Sequence, residues 1–371
     1  KSAMQFDTLP KNKKLFIFDL DGTVTDTEPC HFEAYRRTVE AFCLGQCVTE
    51  EEFLRCYVGH PETEIYALLK EKKHTDFDDA AFFRHRIDEL FKIVAERGMK
   101  TAPFYRQLEA FFPNARFIAL TSQRESVLDR FRETVDYGKI TEFISVADKP
   151  YNKIDVLADT EKYLGAPQND CIIFEDFAPT LHAAMKNGVY AVGVRHSFNA
   201  LKSGDCDILI DIGSPFVIDP SRLDGLCDGE ITLRLDSAAP ADPAKNHVPS
   251  YKFTVCAHSG ANGAAGGTEL GRCALRAGHN ENTYYGGNIG YEIFENFRGH
   301  RYAAKASRLL FTAAKMLGMD HVFITCRPDN LPSRRTCEIL GGEYIETAKL
   351  PEYNDMYKSG MREVAVFRYG I

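Results

Sequence analysis

Leu15-Phe16-Ile17-Phe18-Asp19-Leu20-Asp21-Gly22-Thr23 is the stretch on which the fold turns. Four apolar residues in a row, closed by a glycine turn, predict a strand buried on both faces, as in a parallel sheet. Two carboxylates two positions apart then stand at its C-terminal tip, where open parallel sheets bind their ligands. The layout suits phosphoryl transfer, in which one carboxylate attacks and another moves protons. An Asp-Gly turn closing a strand would account for the same residues without chemistry, so the rest of the chain has to decide.

Outward from this stretch, apolar runs recur at Arg116 to Leu120, Phe143 to Val146, Cys171 to Phe174, Tyr190 to Val194 and Asp207 to Ile210, with amphipathic helical patterns between them. Alternation of this kind predicts a doubly wound parallel α/β sheet. Residues 28–100 break the rhythm. They carry helical periodicity only, as in Phe32, Tyr35, Val39 and Phe42, so a helical subdomain is expected between strands one and two, with 1–27 and 101–213 as the sheet core. Residues 214–229, rich in Pro, Asp and Gly, read as a linker. From 230 to 371 the order changes to strands first, then a long helix from about His300 to Leu317, a strand at His321 to Cys326, a helix at Pro332 to Leu340 and two closing strands. A second, α+β domain is expected there. The Gly/Ala-rich stretch Ser259 to Thr268 is expected as a hairpin connection, since no helix follows to make it a phosphate cradle.

At 371 residues the chain is long enough for two cores. A net charge of -8, from 53 acidic and 45 basic residues without a long block of either sign, offers no nucleic-acid footprint. No apolar run reaches the length of a membrane helix, no signal-peptide order opens the chain, and Lys1-Ser2-Ala3 ahead of Met4 is left out of the fold reading. A cytoplasmic location is expected, without nucleic-acid or membrane partners. The 11 cysteines are scattered without a CxxC pair, which suits reduced core thiols better than a disulfide framework or a zinc site.

Asp19-x-Asp21-Gly22-Thr23, Phe117-Ile118-Ala119-Leu120-Thr121, Lys153-Ile154-Asp155-Val156-Leu157 and Ile172-Ile173-Phe174-Glu175-Asp176 together resemble the four motifs of the haloacid dehalogenase superfamily, in order. The resemblance implies a Rossmann-like core in which Asp19 attacks phosphorus and carries an aspartyl-phosphate. Asp21 would protonate the leaving alcohol and then activate water, its pKa lifted for both duties by a neighbouring carboxylate. Asp19, Asp21, Glu175 and Asp176 would hold Mg²⁺. Thr121, or Ser122 beside it, and Lys153, with Lys149 as competitor, would bind the phosphoryl oxygens. The insertion is similar to the helical cap of the phosphatase and phosphosugar-mutase branch. Thr25-Asp26-Thr27-Glu28-Pro29-x-His31 corresponds to its hinge and Gly59-His60-Pro61 to its substrate loop. His31, Gly59 and His60 are therefore expected substrate contacts, and the substrate a small phosphorylated metabolite. His31 and Glu28 also occur in mutases, whereas Thr23 is the residue seen in phosphatases, so hydrolysis is expected first and phosphohexomutase activity is the alternative.

Arg298-Gly299-His300-Arg301-Tyr302-Ala303, opening the long helix, resembles the pyrophosphate loop of the GNAT N-acetyltransferases. Thr325-Cys326-x-Pro328-Asp329-Asn330-x-x-Ser333 and Leu340-Gly341-Gly342 continue the likeness. It implies acetyl-CoA bound by residues 298–303, Asn330 and Ser333, with a small amine as acceptor. Two departures stand out: Arg301 replaces the middle glycine of the loop, and Cys337 stands where many members have an acidic tyrosine. Ser333 is the expected acid in its place. A module that only senses acyl-CoA is the competing reading.

Overall fold

The computed structural model describes residues 4–43, 45–58, 60, 62–259 and 265–371. Six parallel strands form the first sheet: β1 (Leu15–Phe18), β2 (Arg116–Thr121), β3 (Glu142–Ser145), β4 (Cys171–Glu175), β5 (Tyr190–Arg195) and β6 (Ile208–Asp211), in the order β3-β2-β1-β4-β5-β6. Phe18 is level with Ala119 on β2 and Phe174 on β4. Asp19, Leu120 and Glu175 therefore leave the sheet side by side, at the point where the chain runs to opposite edges. All four residues of β1 are buried, which is why its sequence runs apolar without alternation.

The insertion after β1 consists of four helices, α1 (Glu28–Phe42), α2 (Glu50–Cys56), α3 (Glu62–Lys73) and α4 (Asp79–Arg97), with no strand among the described residues. They close on a core of their own that includes Tyr35, Val39, Phe53, Tyr66, Leu69 and Phe82. The insertion hangs on two chain crossings that are tied together: Thr25 bridges Thr101, and the Ala102 N–H donates to Val24 O at 2.7 Å. Five helices complete the half: α5 (Pro103–Phe111), α6 (Glu125–Thr134), α7 (Lys153–Ala158), α8 (Thr160–Leu164) and α9 (Ala178–Lys186).

The second half begins with β7 (Leu226–Cys227), β8 (Ile231–Ala239), β9 (Ser250–Ala257), β10 (Glu269–Arg276), α10 (Glu281–Gly286) and β11 (Ile289–Ile293). These strands make an antiparallel sheet, β11-β10-β9-β8-β7. Residues 260–264 of the expected hairpin connection lie outside the described residues, and its ends are closed by Ala257 N–H to Thr268 O at 2.8 Å. Then follow α11 (Tyr302–Met316), β12 (His321–Cys326), α12 (Leu331–Ile339), β13 (Glu343–Lys349), α13 (Asp355–Lys358) and β14 (Glu363–Gly370), whose strands form a second sheet, β12-β14-β13. The two sheets are tied where β11 begins beside β12. There Asn288, fully buried, donates from its N–H to Phe323 O at 2.7 Å and accepts from the Phe323 N–H at 2.8 Å.

Residues 214–229, expected as a linker, are packed rather than slack. Phe216, Ile218 and Leu223 are buried, because α5 and α11 meet across this segment. Buried Gln107 on α5 donates to Phe216 O at 3.0 Å and Met316 O at 3.1 Å and accepts from the Phe216 N–H at 2.7 Å. Lys315 pairs with Glu109 at 3.3 Å and Lys100 with Asp320 at 2.6 Å. Composition marks the passage between two domains, but not that the other domain packs on it. Among the described residues no helix is long and apolar enough to cross a membrane.

Candidate active sites

Three carboxylates and one ammonium meet where β1 and β4 end. Lys153 Nζ stands 2.7 Å from Asp19 Oδ1 and 2.9 Å from Glu175 Oε2, and all three residues are buried. The lysine is placed by the start of α7, where Asn152 and Asp155 form a reciprocal capping box. Lys149, the sequence alternative, is exposed, and Lys153 is the one that meets Asp19 and Glu175. Glu175 accepts from the N–H groups of Asp176 and Phe177 at 3.2 Å each, and Asp176 Oδ2 lies 2.8 Å from His196 Nε2. Gly22 makes this crowding possible. Its φ of +68° is left-handed, and a Cβ there would stand 2.7 Å from Asp176 Oδ2 and 2.8 Å from His196 Nε2.

Burial pushes the Asp19 carboxyl up to about 7, helped by the charge of Glu175 and opposed by Lys153. Glu175 is likewise pushed up by burial to about 7 against the pull of Lys153, and Asp176 to about 7 by burial and by Asp19. Asp19, Glu175 and Asp176 each bring an oxygen within 4.8 Å of the others. Lys153 alone cannot neutralise three ionised carboxylates in one dry place. A hard divalent cation with oxygen ligands fits that donor set.

Asp21 is not part of this cluster. Its Oδ1 accepts from the Thr27 hydroxyl at 2.6 Å and faces His31 Nε2 at 3.5 Å, and Gln123 donates to Oδ2. Burial would raise its pKa, but His31, Thr27 and Gln123 together hold the carboxyl down at about 2. The expected lift from a neighbouring carboxylate is thus replaced by its opposite, because the neighbours are donors. Burial presses the His31 imidazole down, yet Asp21 carries it above its ordinary value. Glu28 is the residue lifted here, to about 7, by burial opposed by His31.

Thr121 ends β2, buried, and accepts from the Gln123 N–H at 3.1 Å, while Ser122 is exposed. His60 is half exposed and lies 3.5 Å from Glu64; Gly59 lies outside the described residues. Sequence reasoning missed Gln123 and His196 and passed over Thr27. His196 follows β5 directly, so the rule that ligands gather at parallel strand tips would have found it. Gln123 carried no such signal.

In the second half, Arg298, Gly299 and His300 are exposed and lead into α11. Arg301 is its N-cap residue at φ +60°, a left-handed conformation that costs a non-glycine residue about 1–2 kcal/mol. The arginine thus adopts a backbone conformation that a glycine takes without strain. No side chain caps α11, whose first intrahelical bond runs from the Lys305 N–H to Arg301 O. Arg298 Nε donates to Ile293 O at 3.1 Å, Tyr302 is buried beneath the loop, and Ala303 is half-buried. Asn330 caps α12 by accepting from the Ser333 N–H at 3.2 Å, and Ser333 Oγ lies 2.9 Å from the Tyr291 hydroxyl of β11. Cys337 is fully buried, its carbonyl accepting from the Tyr369 hydroxyl at 3.0 Å.

Residues 16–194 match the family model of haloacid dehalogenase-like hydrolases, and residues 229–343 that of the acetyltransferase (GNAT) domain. A phosphorylated carbohydrates phosphatase of Thermotoga maritima is 30% identical over 216 residues, covering 56% of this chain and 94% of its own. The fructose-1-phosphate phosphatase YqaB of Escherichia coli is 23% identical over 184 residues, covering 48% of this chain and 95% of its own. The two motif sets and the parallel and antiparallel sheets agree with these matches: the chain belongs to the haloacid dehalogenase-like hydrolases and carries a GNAT acetyltransferase domain behind its hydrolase half.

Proposed function

We propose that the first half is a Mg²⁺-dependent phosphatase of small phosphomonoesters such as sugar phosphates, and that the second transfers an acetyl group from acetyl-CoA to a small amine. The observation that carries the first reading is the division of labour among the carboxylates. Asp19, Glu175 and Asp176 crowd around one lysine, while Asp21 stands apart among donors. Asp19, Glu175 and Asp176 would hold the cation, which when bound masks the repulsion between a carboxylate nucleophile and an anionic phosphate. Asp19 attacks phosphorus and carries the phosphoryl group. Lys153, with the Thr121 hydroxyl, binds its oxygens. Asp21 is ionised among its donors, so the proton it passes to the leaving alcohol comes from the His31 imidazolium beside it, and as a carboxylate it then takes one from the water that follows. The helical insertion closes over small substrates and excludes polymers. The two relatives named above act, by their names, on phosphorylated carbohydrates and on fructose 1-phosphate, which supports this substrate class. Phosphate release from a panel of sugar phosphates should require Mg²⁺ and stop on chelation. Turnover that survives EDTA would refute the metal assignment, and release from phosphoproteins at equal rates would refute the cap.

The second reading rests on the uncapped start of α11, where N–H groups and the positive end of the helix dipole meet Arg298 and Arg301. Ser333, hydrogen-bonded to Tyr291, supplies the proton the departing thiolate needs. A cleft of about 920 Å³ between the hairpin after β8, α10 and the loop before α13, lined by Asp242, Asn280, Asn282, Tyr353 and Asp355, would receive the amine. Calorimetry should show acetyl-CoA binding that Arg298→Ala weakens by about tenfold, and that added salt weakens too, since both arginines are exposed. No binding at millimolar cofactor would leave the domain without this role.

A further inference from the structure

His196, directly after β5, stands between the carboxylate cluster and the cap. Its side chain is wholly buried and both ring nitrogens are engaged: Nδ1 accepts from the Phe198 N–H at 3.1 Å, and Nε2 lies 2.8 Å from Asp176 Oδ2. A ring nitrogen that accepts carries no proton, so the proton of this imidazole sits on Nε2 and is donated to the carboxylate. Asn199 closes the same turn. Its Nδ2 donates to Asp176 O at 3.1 Å and to Val194 O at 2.9 Å, and its Oδ1 accepts from the His196 N–H at 3.2 Å. Residues 196–199 thus grip Asp176 by its carboxylate and by its carbonyl.

The ring of Phe198 belongs to the cap instead. It is 6% exposed and sits in the aromatic core of the insertion, 5.7 Å from the Phe32 ring and edge-on to Phe53 at 5.5 Å. Phe32 lies on α1 and Phe53 on α2, so a residue of the sheet half is seated between two cap helices. Among the described residues it is the one from outside 28–100 in that core. A phenylalanine kept only to cover the tip of β5 would pack on the sheet. Here the backbone N–H serves the histidine that orients Asp176, while the side chain follows the cap.

We propose that Phe198 is a positioning residue for the cation: with its ring seated in the cap, its N–H keeps the proton of His196 on Nε2, and the His196 bond to Asp176 leaves the other oxygen of that carboxylate for the metal. The inference rests on the cation assignment made above and adds a link from the cap to it. When the cap lifts, Phe198 is drawn with it and Nδ1 loses its donor. The ring proton then exchanges through water from Nε2 to Nδ1, and a bare Nε2 sets lone pair against lone pair at Asp176. The carboxylate is no longer held for the cation. Cap closure and cation binding therefore strengthen one another, as linkage requires of two events that share one free energy.

Mn²⁺ binding to the full chain, read by electron paramagnetic resonance of the free ion, tests the link without turnover. Phe198→Ala keeps the N–H but gives up the seat in the cap, and should weaken Mn²⁺ by about tenfold, the low end of the effect of residues that orient a metal ligand. His196→Leu should weaken it at least as much. The double variant should bind no worse than His196→Leu alone, because Phe198 acts through that ring. Phe198→Leu, which refills the seat, should recover most of the affinity. Nitrogen NMR of histidine-labelled, metal-free protein should place the His196 proton on Nε2 in the wild type and divide it between the two nitrogens in Phe198→Ala. Wild-type Mn²⁺ affinity in Phe198→Ala, or losses that add in the double variant, would overturn the proposal. If Phe198→Ala does not fold, Phe32→Leu loosens the seat from the cap side and decides: weaker binding supports the link and unchanged binding overturns it. A wild type that binds no Mn²⁺ would refute the cation assignment instead. The NMR measurement then still reads the link between cap and histidine, and a proton that stays on Nε2 in Phe198→Ala refutes it.

Discussion

Asp19→Asn should lower phosphate release by about 10⁴-fold or more, since removal of an attacking group costs a rate on the order of 10⁴ to 10⁶. The measurement is phosphate released from a sugar phosphate at saturating Mg²⁺. Rates within about tenfold of wild type would show that another group attacks, because no general acid or base effect is so small when the nucleophile itself is gone. The same variant carries a second expectation of opposite sign. Asp19 is buried beside Glu175, and burial and that charge push its carboxyl up to about 7. A neutral amide of nearly the same shape removes one of three crowded negative charges, so without Mg²⁺ the variant should unfold at the same temperature as wild type or higher. Loss of activity with retained or greater stability is what separates a residue kept for chemistry from one kept for packing.

The strand tips were legible because a buried parallel strand has a sequence of its own. Leu15 to Phe18, Phe117 to Leu120 and Ile172 to Phe174 are apolar without alternation, and the residue after each run is placed by the sheet alone. That logic placed the ends of the strands, the resemblance to the family's motifs named Asp19, Thr121, Glu175 and Asp176 there, and helix register favoured Lys153 over Lys149. It could not describe the surroundings of Asp21. Gln123 lies 102 residues along the chain, and its approach depends on the turn after β2, which has no pattern to read. The expected pKa of Asp21 therefore had the wrong sign, although its neighbour His31 was named. For His60 a loop likeness places the backbone only, and the side chain lies beside Glu64. In the second half, Arg301 was legible only as a departure. That it would hold the glycine conformation follows from the loop's closure onto α11, which a residue name does not show.

Lys153→Met should be the most damaging single change to the fold of the first half as well as to its chemistry. The lysine is 9% exposed and is the cation shared by Asp19 and Glu175 at 2.7 and 2.9 Å. Methionine fills nearly the same volume, so little cavity term enters, and the cost is that of leaving two buried carboxylates without their partner. Breaking a buried pair in this way typically costs about 3–5 kcal/mol. Both carboxyls are already pushed up by burial and held back by Lys153, so without it they would protonate rather than remain as unpaired charges, which limits the loss. Denaturant unfolding without metal should show this destabilisation, and Mg²⁺ should restore part of it, because a divalent cation among Asp19, Glu175 and Asp176 replaces the missing charge. Activity should stay lost with the metal present, since the phosphoryl oxygens still lack their ammonium. Stability recovered by Mg²⁺ without recovery of turnover would separate the two tasks of one side chain. A variant as stable as wild type in EDTA would mean that the carboxylates are neutral before the lysine is removed, and that its charge serves substrate alone.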